Sequence, residues 1–327
     1  MSSIAINPSP SSSPGFQQPN RAVLVGRYLR RNKGLALGLA ILLFLILFSG
    51  IGMIWLSTST NAAGKPLIKV LPYPLAVKNN RPPDFACVFA GKQLGKDCFP
   101  LGTDKYGRDL LAAMILGIAQ TGLIGLAAGI LGVVIGTVLG FVAAFFGGPI
   151  DSVIKSISEV LLPIPPYLIQ VIIVASIDKK SITIWTMALI VVMLAWMGPT
   201  RVIRAQVLSM KERMFVNVSK LSGMNNLEII FKELLPNLLP FLLAQMVGQV
   251  TGAIFASFGL SVIGLGPLNE PLIGNTIYFA QQQSAFLIGW WWWPLWPILA
   301  CVLIFGSLTL ISIGLDEVAN PRVRRSE

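Results

Sequence analysis

Residues 110–150 read LLAAMILGIAQTGLIGLAAGILGVVIGTVLGFVAAFFGGPI, a run without one Asp, Glu, Lys or Arg. A bilayer core is about 30 Å thick and is crossed by about 20 apolar helical residues. Ionised side chains are most costly at its centre, so a charge-free run of this length is what a crossing requires. Five more stretches lack charge in the same way: 34–64, 160–177, 181–200, 234–269 and 271–315. The short alternating segments of a strand barrel do not fit. The expectation is an all-α, polytopic membrane protein with six transmembrane helices. Composition agrees: 54% of the 327 residues are hydrophobic and only 12% are charged, against about 25% charged in a soluble domain.

The run at 110–150 is long enough to hide a hairpin, and the flanking charge decides the count. With six single spans and an internal N-terminus, the inner segments carry Arg21, Arg27, Arg30, Arg31 and Lys33, then Lys155, then Arg201, Arg204, Lys211, Arg213, Lys220 and Lys232, then Arg322, Arg324 and Arg325. The short outer connections carry only Lys179 and Lys180. A seventh span would place the most basic loop outside, against the positive-inside bias. Both termini are therefore expected in the cytoplasm of a cell with an inner membrane. The divisions are a disordered, basic tail at 1–33, a first anchor at 34–56, an extracytoplasmic loop at 57–112, a five-helix core at 113–316 containing a cytoplasmic loop at 208–235, and a tail at 317–327. The outer loop carries basic residues as well, but long loops translocate with little regard to charge. The net charge of +11 thus reflects topology, and the expected neighbour is lipid, with no nucleic acid.

The chemistry that is missing narrows the function. There is no histidine, which removes histidine general bases, histidine-activated nucleophiles and histidine zinc sites. Asp151 and Glu159 lie at the edge of the third span and no acid lies deeper, so a membrane enzyme or a carboxylate-coupled secondary transporter is disfavoured. The phosphate-binding pattern G-x-x-x-x-G-K-[ST] does not occur. No metal site and no cofactor are expected in this chain. If ATP drives transport, another chain binds it. Of the three cysteines, Cys87 and Cys98 share the outer loop, where they either form a disulfide or remain two thiols; Cys301 falls in the sixth span.

Local patterns add detail. Gly117, Gly122, Gly125, Gly129, Gly132, Gly136 and Gly140 recur along the second span, a spacing that allows close helix contact in lipid or lines a pore. Leu162, Pro163, Ile164, Pro165 and Pro166 should kink or break the third span. Trp290 to Trp293 with Trp296 suit a headgroup-level belt. Asp104, Arg108 and Asp109 suit an ion-pair and capping cluster seating an amphipathic helix at the outer surface.

The inner loop is the most informative. FVNVSKLSGMNNLEIIFKELLPN at 215–237 reads as a short helix ending near Ser222, a turn at Gly223, and a second helix from Asn226 to Pro236. Glycine closes helices in the left-handed conformation, and Asn225 followed by Glu228 is a capping-box pattern. This loop resembles the Glu-Ala-Ala loop of bacterial ABC importer permeases. LGTDKYGRDLL at 101–111, GLSVIGLGP at 259–267, WWWWPLWP at 290–297 and GLDEVANPRVRR at 314–325 make the wider chain similar to the C-type permease of dipeptide and oligopeptide importers. The resemblance implies the type I importer permease fold and a heteromeric machine: a second permease, one or two ATPase subunits holding ATP and Mg, and an extracytoplasmic binding protein. It also implies that Phe215, Val216, Asn217, Val218, Ser219, Lys220, Leu221 and Gly223 couple to the ATPase, with Asn225, Glu228, Leu235 and Pro236 shaping the loop. Asn217, Val218 and Ser219 stand where the family has Glu-Ala-Ala. With that charge gone, docking is expected to lean on Phe215, Val218 and Leu221. Gln245, Gln249, Thr251 and Ser257 are the candidates for lining the path. Peptides are the expected substrate, with nickel complexes, oligosaccharides or a self-sufficient secondary transporter as alternatives.

Overall fold

The computed structural model describes residues 30–58, 80–90, 92, 94 and 98–319. The expected tails, with Arg21, Arg27, Arg322, Arg324 and Arg325, and much of the outer loop lie outside the described residues. Ten helices carry the fold: α1 (Lys33–Thr58), α2 (Leu110–Phe146), α3 (Gly148–Leu161), α4 (Pro166–Ala175), α5 (Ile184–Ala195), α6 (Met197–Lys211), α7 (Met214–Leu221), α8 (Asn226–Val262), α9 (Ile273–Gln282) and α10 (Trp292–Ala319). Strand-type pairing is limited to isolated bridges among the described residues, among them Leu94 with Cys98 and Thr103 with Asp109.

By length and composition α1, α2, α8 and α10 can each cross a membrane, and the count reaches six if each of the bent pairs α3–α4 and α5–α6 is one broken span. At 37 residues and about 1.5 Å per residue, α2 is longer than a bilayer core is thick, so its ends stand outside. It is also the hub, touching α1, α5, α6, α8, α9 and α10. The glycine stripe makes this possible. Gly125 and Gly129 meet Ile254 and Val250 of α8, while Gly132, Gly136 and Gly140 meet Ala195, Pro199 and Ile203 along α5 and α6. Close packing, and not a pore lining, accounts for these five.

Three expectations change. The third span starts at Gly148, well before the charge-free run, because Asp151, Lys155 and Glu159 sit on an amphipathic α3 that turns by 80° into α4 across the proline break. The inner loop is mostly helix: α6 continues to Lys211, and α8 runs from Asn226 to Val262 without stopping at Pro236. A six-residue π-helical stretch, Ile229–Leu234, precedes that proline. A widened turn relieves the clash of a proline ring with the carbonyl four residues back, so the helix absorbs Pro236 instead of ending there. The tryptophan run is not simply a belt. Trp291 is exposed, but Trp292 and Trp293 are buried against Leu110, Ala280 and Ala285.

Candidate functional site

At one end of the bundle, α7 shares a hydrophobic cluster with α2, α6 and α8. Val216 is 0% exposed and packs with Phe141, Ile203, Val207, Ile229 and Leu234. Ser219 is buried beside it, its hydroxyl donating to the Phe215 carbonyl at 3.0 Å. The opposite face is apolar and open. Met214, Val218 and Leu221 are 81%, 54% and 89% exposed, and with the exposed Asn217 they follow the i, i+3, i+4, i+7 spacing of one helical stripe. Lys220 and Gly223 are also exposed.

Phe215 packs partly buried against the chain's own cluster, and Val216 and Ser219 are buried with it. Met214, which was not among the candidates, lies on the open face. The signal was in the sequence: counting the helical period back from Leu221 and Val218 reaches Met214, one position before the resemblance begins.

Both ends of α7 are fixed by backbone chemistry. Gly223 sits at φ +82, its N–H donates to the Lys220 carbonyl at 3.0 Å, and the Met224 N–H donates to the Ser219 carbonyl at 3.2 Å. This pair is the Schellman closure, and it needs the left-handed residue that glycine supplies without strain. Asn225 then caps α8. Its side chain accepts from the Glu228 N–H at 2.9 Å, while Glu228 accepts from the Asn225 N–H at 3.2 Å. Lys232 pairs with Glu228 at 3.2 Å. Leu235 and Pro236 lie within the continuing helix.

The platform above is tied to the spans. Arg204 of α6 grips Asp151 of α3 with two hydrogen bonds, 2.5 and 2.6 Å, the bidentate geometry that makes arginine pairs specific. Lys211 donates to the Ala144 carbonyl at 3.2 Å, placing a cation at the C-terminal end of α2, where the helix dipole favours it.

Within the membrane region, the breaks between α3 and α4 and between α5 and α6 meet at one cavity of ≈ 270 Å³. Its wall includes Leu162, Tyr167 and Gln170, then Ala195 and Gly198, then Gln249 of α8. Of the four path candidates only Gln249 lines it. Gln245 is half-buried elsewhere on α8. Thr251 spends its hydroxyl on the Val247 carbonyl, and Ser257 is buried with its hydroxyl on the Ile254 carbonyl. Hydroxyls in apolar helices satisfy themselves on the preceding turn, which composition alone does not reveal. Gln170 was not among the candidates, and a lone Gln in an apolar decamer gives little reason to choose it.

At the opposite end, Cys87 and Cys98 are joined in a disulfide. Asp104 accepts from the N–H groups of Tyr106 and Arg108 at 2.8 and 2.7 Å, and Asp109 caps α2 by accepting from the Leu111 N–H at 2.9 Å. No amphipathic helix intervenes, because the capped helix is the span itself. The Arg108 guanidinium stacks over Tyr106 and Phe279. Trp292 and Trp296 donate to the carbonyls of Thr103 and Leu101. The run is a clamp that locks the outer segment to α10.

Burial pushes the Asp104 carboxyl up to about 6 and the Asp109 carboxyl up to about 7, with the accepted N–H bonds pulling the other way. An acid raised in the folded state holds its proton there first. Its stabilising contribution is complete below the unfolded value of 3.8 and is lost as pH rises through about 6 and about 7. Lowering pH from about 8 to about 5.5 should therefore raise hydrogen-exchange protection at 103–111, and Asp109→Asn should remove part of the gain. Protection that falls on acidification would contradict the assignment.

Residues 136–325 match the family of binding-protein-dependent transport system inner membrane components. The chain is 32% identical over 299 residues to the dipeptide transport system permease protein DppC of Bacillus subtilis, covering 91% of this chain and 85% of that protein. It is 29% identical over 225 residues to the oligopeptide transport system permease protein OppC of Lactococcus lactis, covering 68% and 75%. A similar match, 29% over 224 residues covering 68% and 76%, is to OppC of Mycobacterium bovis. With four to six candidate spans and this match over most of its length, the chain belongs to the family of binding-protein-dependent transport system inner membrane components.

Proposed function

We propose that this chain is one of two permease subunits of an ATP-driven peptide importer, with both termini in the cytoplasm. The observation that carries the reading is α7: a short helix with an open apolar face, capped at both ends and cemented through Val216 to the membrane helices. Such a helix transmits force. An ATPase that grips the Met214, Val218 and Leu221 face moves α6 and α8 with it, because the buried side of α7 shares its cluster with both. The chain has no nucleotide-binding motif, so ATP and Mg reside on the partner ATPases. A binding protein delivers substrate at the outer face formed by the clamped 98–109 segment. Peptides come first among substrates because the named relatives are dipeptide and oligopeptide permeases.

Affinity purification of this subunit should recover a second permease and ATPase in stoichiometric amounts. In proteoliposomes, the binding protein with peptide should stimulate ATP hydrolysis and uptake, with nickel complexes and oligosaccharides as competing substrates. Ion-gradient-driven uptake by this chain alone would replace the reading with a secondary transporter.

A further inference from the structure

The cavity at the two helix breaks carries more than packing explains. Interrupted helix backbone at membrane depth is tolerated where it is buried in protein or lines a cavity, and here both interruptions converge on the same one. The wall is apolar apart from Tyr167, Gln170 and Gln249, and no Asp, Glu, Lys or Arg lines it. Gln170 is 3% exposed, and its side-chain carbonyl accepts no hydrogen bond. Nearly all buried polar groups are paired in folded proteins; this oxygen is unpaired but closed off within the wall, and it meets an incoming donor when the Gln170 side chain turns toward the cavity. Gln249, midway along α8, reaches across toward the Gly198 backbone at the second break. A carboxamide offers both donors and acceptors, as does each peptide unit. An adjoining opening shares Leu162 and carries Glu159 and Arg201, one charge of each sign, so it too lacks a field that would favour one sign.

We propose that this cavity is the subunit's subsite for the main chain of a transiting peptide, with Gln170 accepting a peptide N–H and Gln249 contacting a second peptide group. The proposal rests on the peptide-import reading. It makes passage indifferent to side-chain charge, leaving that choice to the binding protein.

The test compares the reconstituted complex carrying wild-type subunit, Gln170→Leu or Gln249→Glu, using one binding protein and three tripeptides: Ala-Ala-Ala, one with Lys and one with Glu. Gln170→Leu should slow Ala-Ala-Ala uptake about tenfold, the loss of one hydrogen bond to a buried group, while stimulated ATP hydrolysis stays within about twofold. Gln249→Glu should raise the ratio of Lys-peptide to Glu-peptide uptake about fivefold or more. Since every sample shares the binding protein, its own preference cancels from that comparison, and a purely structural role would not move the ratio. An unchanged ratio together with an unchanged Gln170→Leu rate overturns the proposal. If Gln170→Leu fails to assemble, the Gln249→Glu ratio decides alone. Wild-type complex that imports none of the peptides would sink the peptide reading itself, a separate outcome.

Discussion

Leu221→Asp should abolish coupling while leaving the subunit folded. Leu221 is 89% exposed at the last turn of α7, so a carboxylate there is solvated in the free chain and costs little. In the assembled importer the same position would enter an apolar contact. Burying a leucine contributes about 1.5–3 kcal/mol, and an unpaired carboxylate in its place adds a desolvation penalty of similar size or more. The combined loss corresponds to at least about a hundredfold in affinity at this contact. The expected results are loss of ATPase from the purified complex and a fall of at least about tenfold in peptide-stimulated ATP hydrolysis, with an unaltered melting temperature for the isolated subunit. Val216→Asp makes the instructive contrast, because Val216 lies in the cluster that holds α7 to α2, α6 and α8. It should reduce folded yield before coupling can be measured. Normal ATPase recovery and normal uptake with Leu221→Asp would remove α7 as the docking element.

Those two neighbours also show how far sequence carries. The capping box at Asn225 and Glu228, the stop at Gly223 and the glycine stripe of α2 are local or periodic features, and the structure forms each of them. They depend on backbone geometry that a few adjacent residues determine. Orientation was harder. Phe215 and Met214 are adjacent apolar residues, and the helical period back from Leu221 and Val218 separates them only once the helix is known to start at Met214. Pro236 reads as a stop because proline ends an ordinary helix, but the π-helical stretch before it supplies an alternative that no single residue announces. The tryptophans at 292 and 293 match an interfacial belt by composition, yet they are buried because residues 101–110, almost 200 positions earlier, fold against them. Such long-range pairing has no local signature. Gln170 was illegible for the same reason: its meaning depends on two helix breaks meeting beside it.

The glycine stripe leads to the second large effect. At Gly129 a Cβ would stand 2.7 Å from the Val250 Cα and nitrogen. Backbone is in the way, so no rotamer change relieves the clash, and α2 and α8 must separate. Gly129→Val should destabilise the subunit by about 3 kcal/mol or more, the upper range for overpacking a tight contact. Helices in lipid gain no hydrophobic drive on association, so a lost close approach is not offset by burial elsewhere. The separation would also act on function, because Val250 is next to Gln249 and α8 carries the cavity wall and the π-helical stretch above α7. Gly122 lies one turn before Gly125 with nothing within 4 Å of its added Cβ. Gly122→Ala should be neutral or stabilising by up to about 1 kcal/mol, since alanine restrains the unfolded chain more than glycine does. Thermal melting of the two purified variants checks the pair. Equal melting temperatures would mean that α2 and α8 do not need their backbone contact, and the stripe would revert to a pore lining.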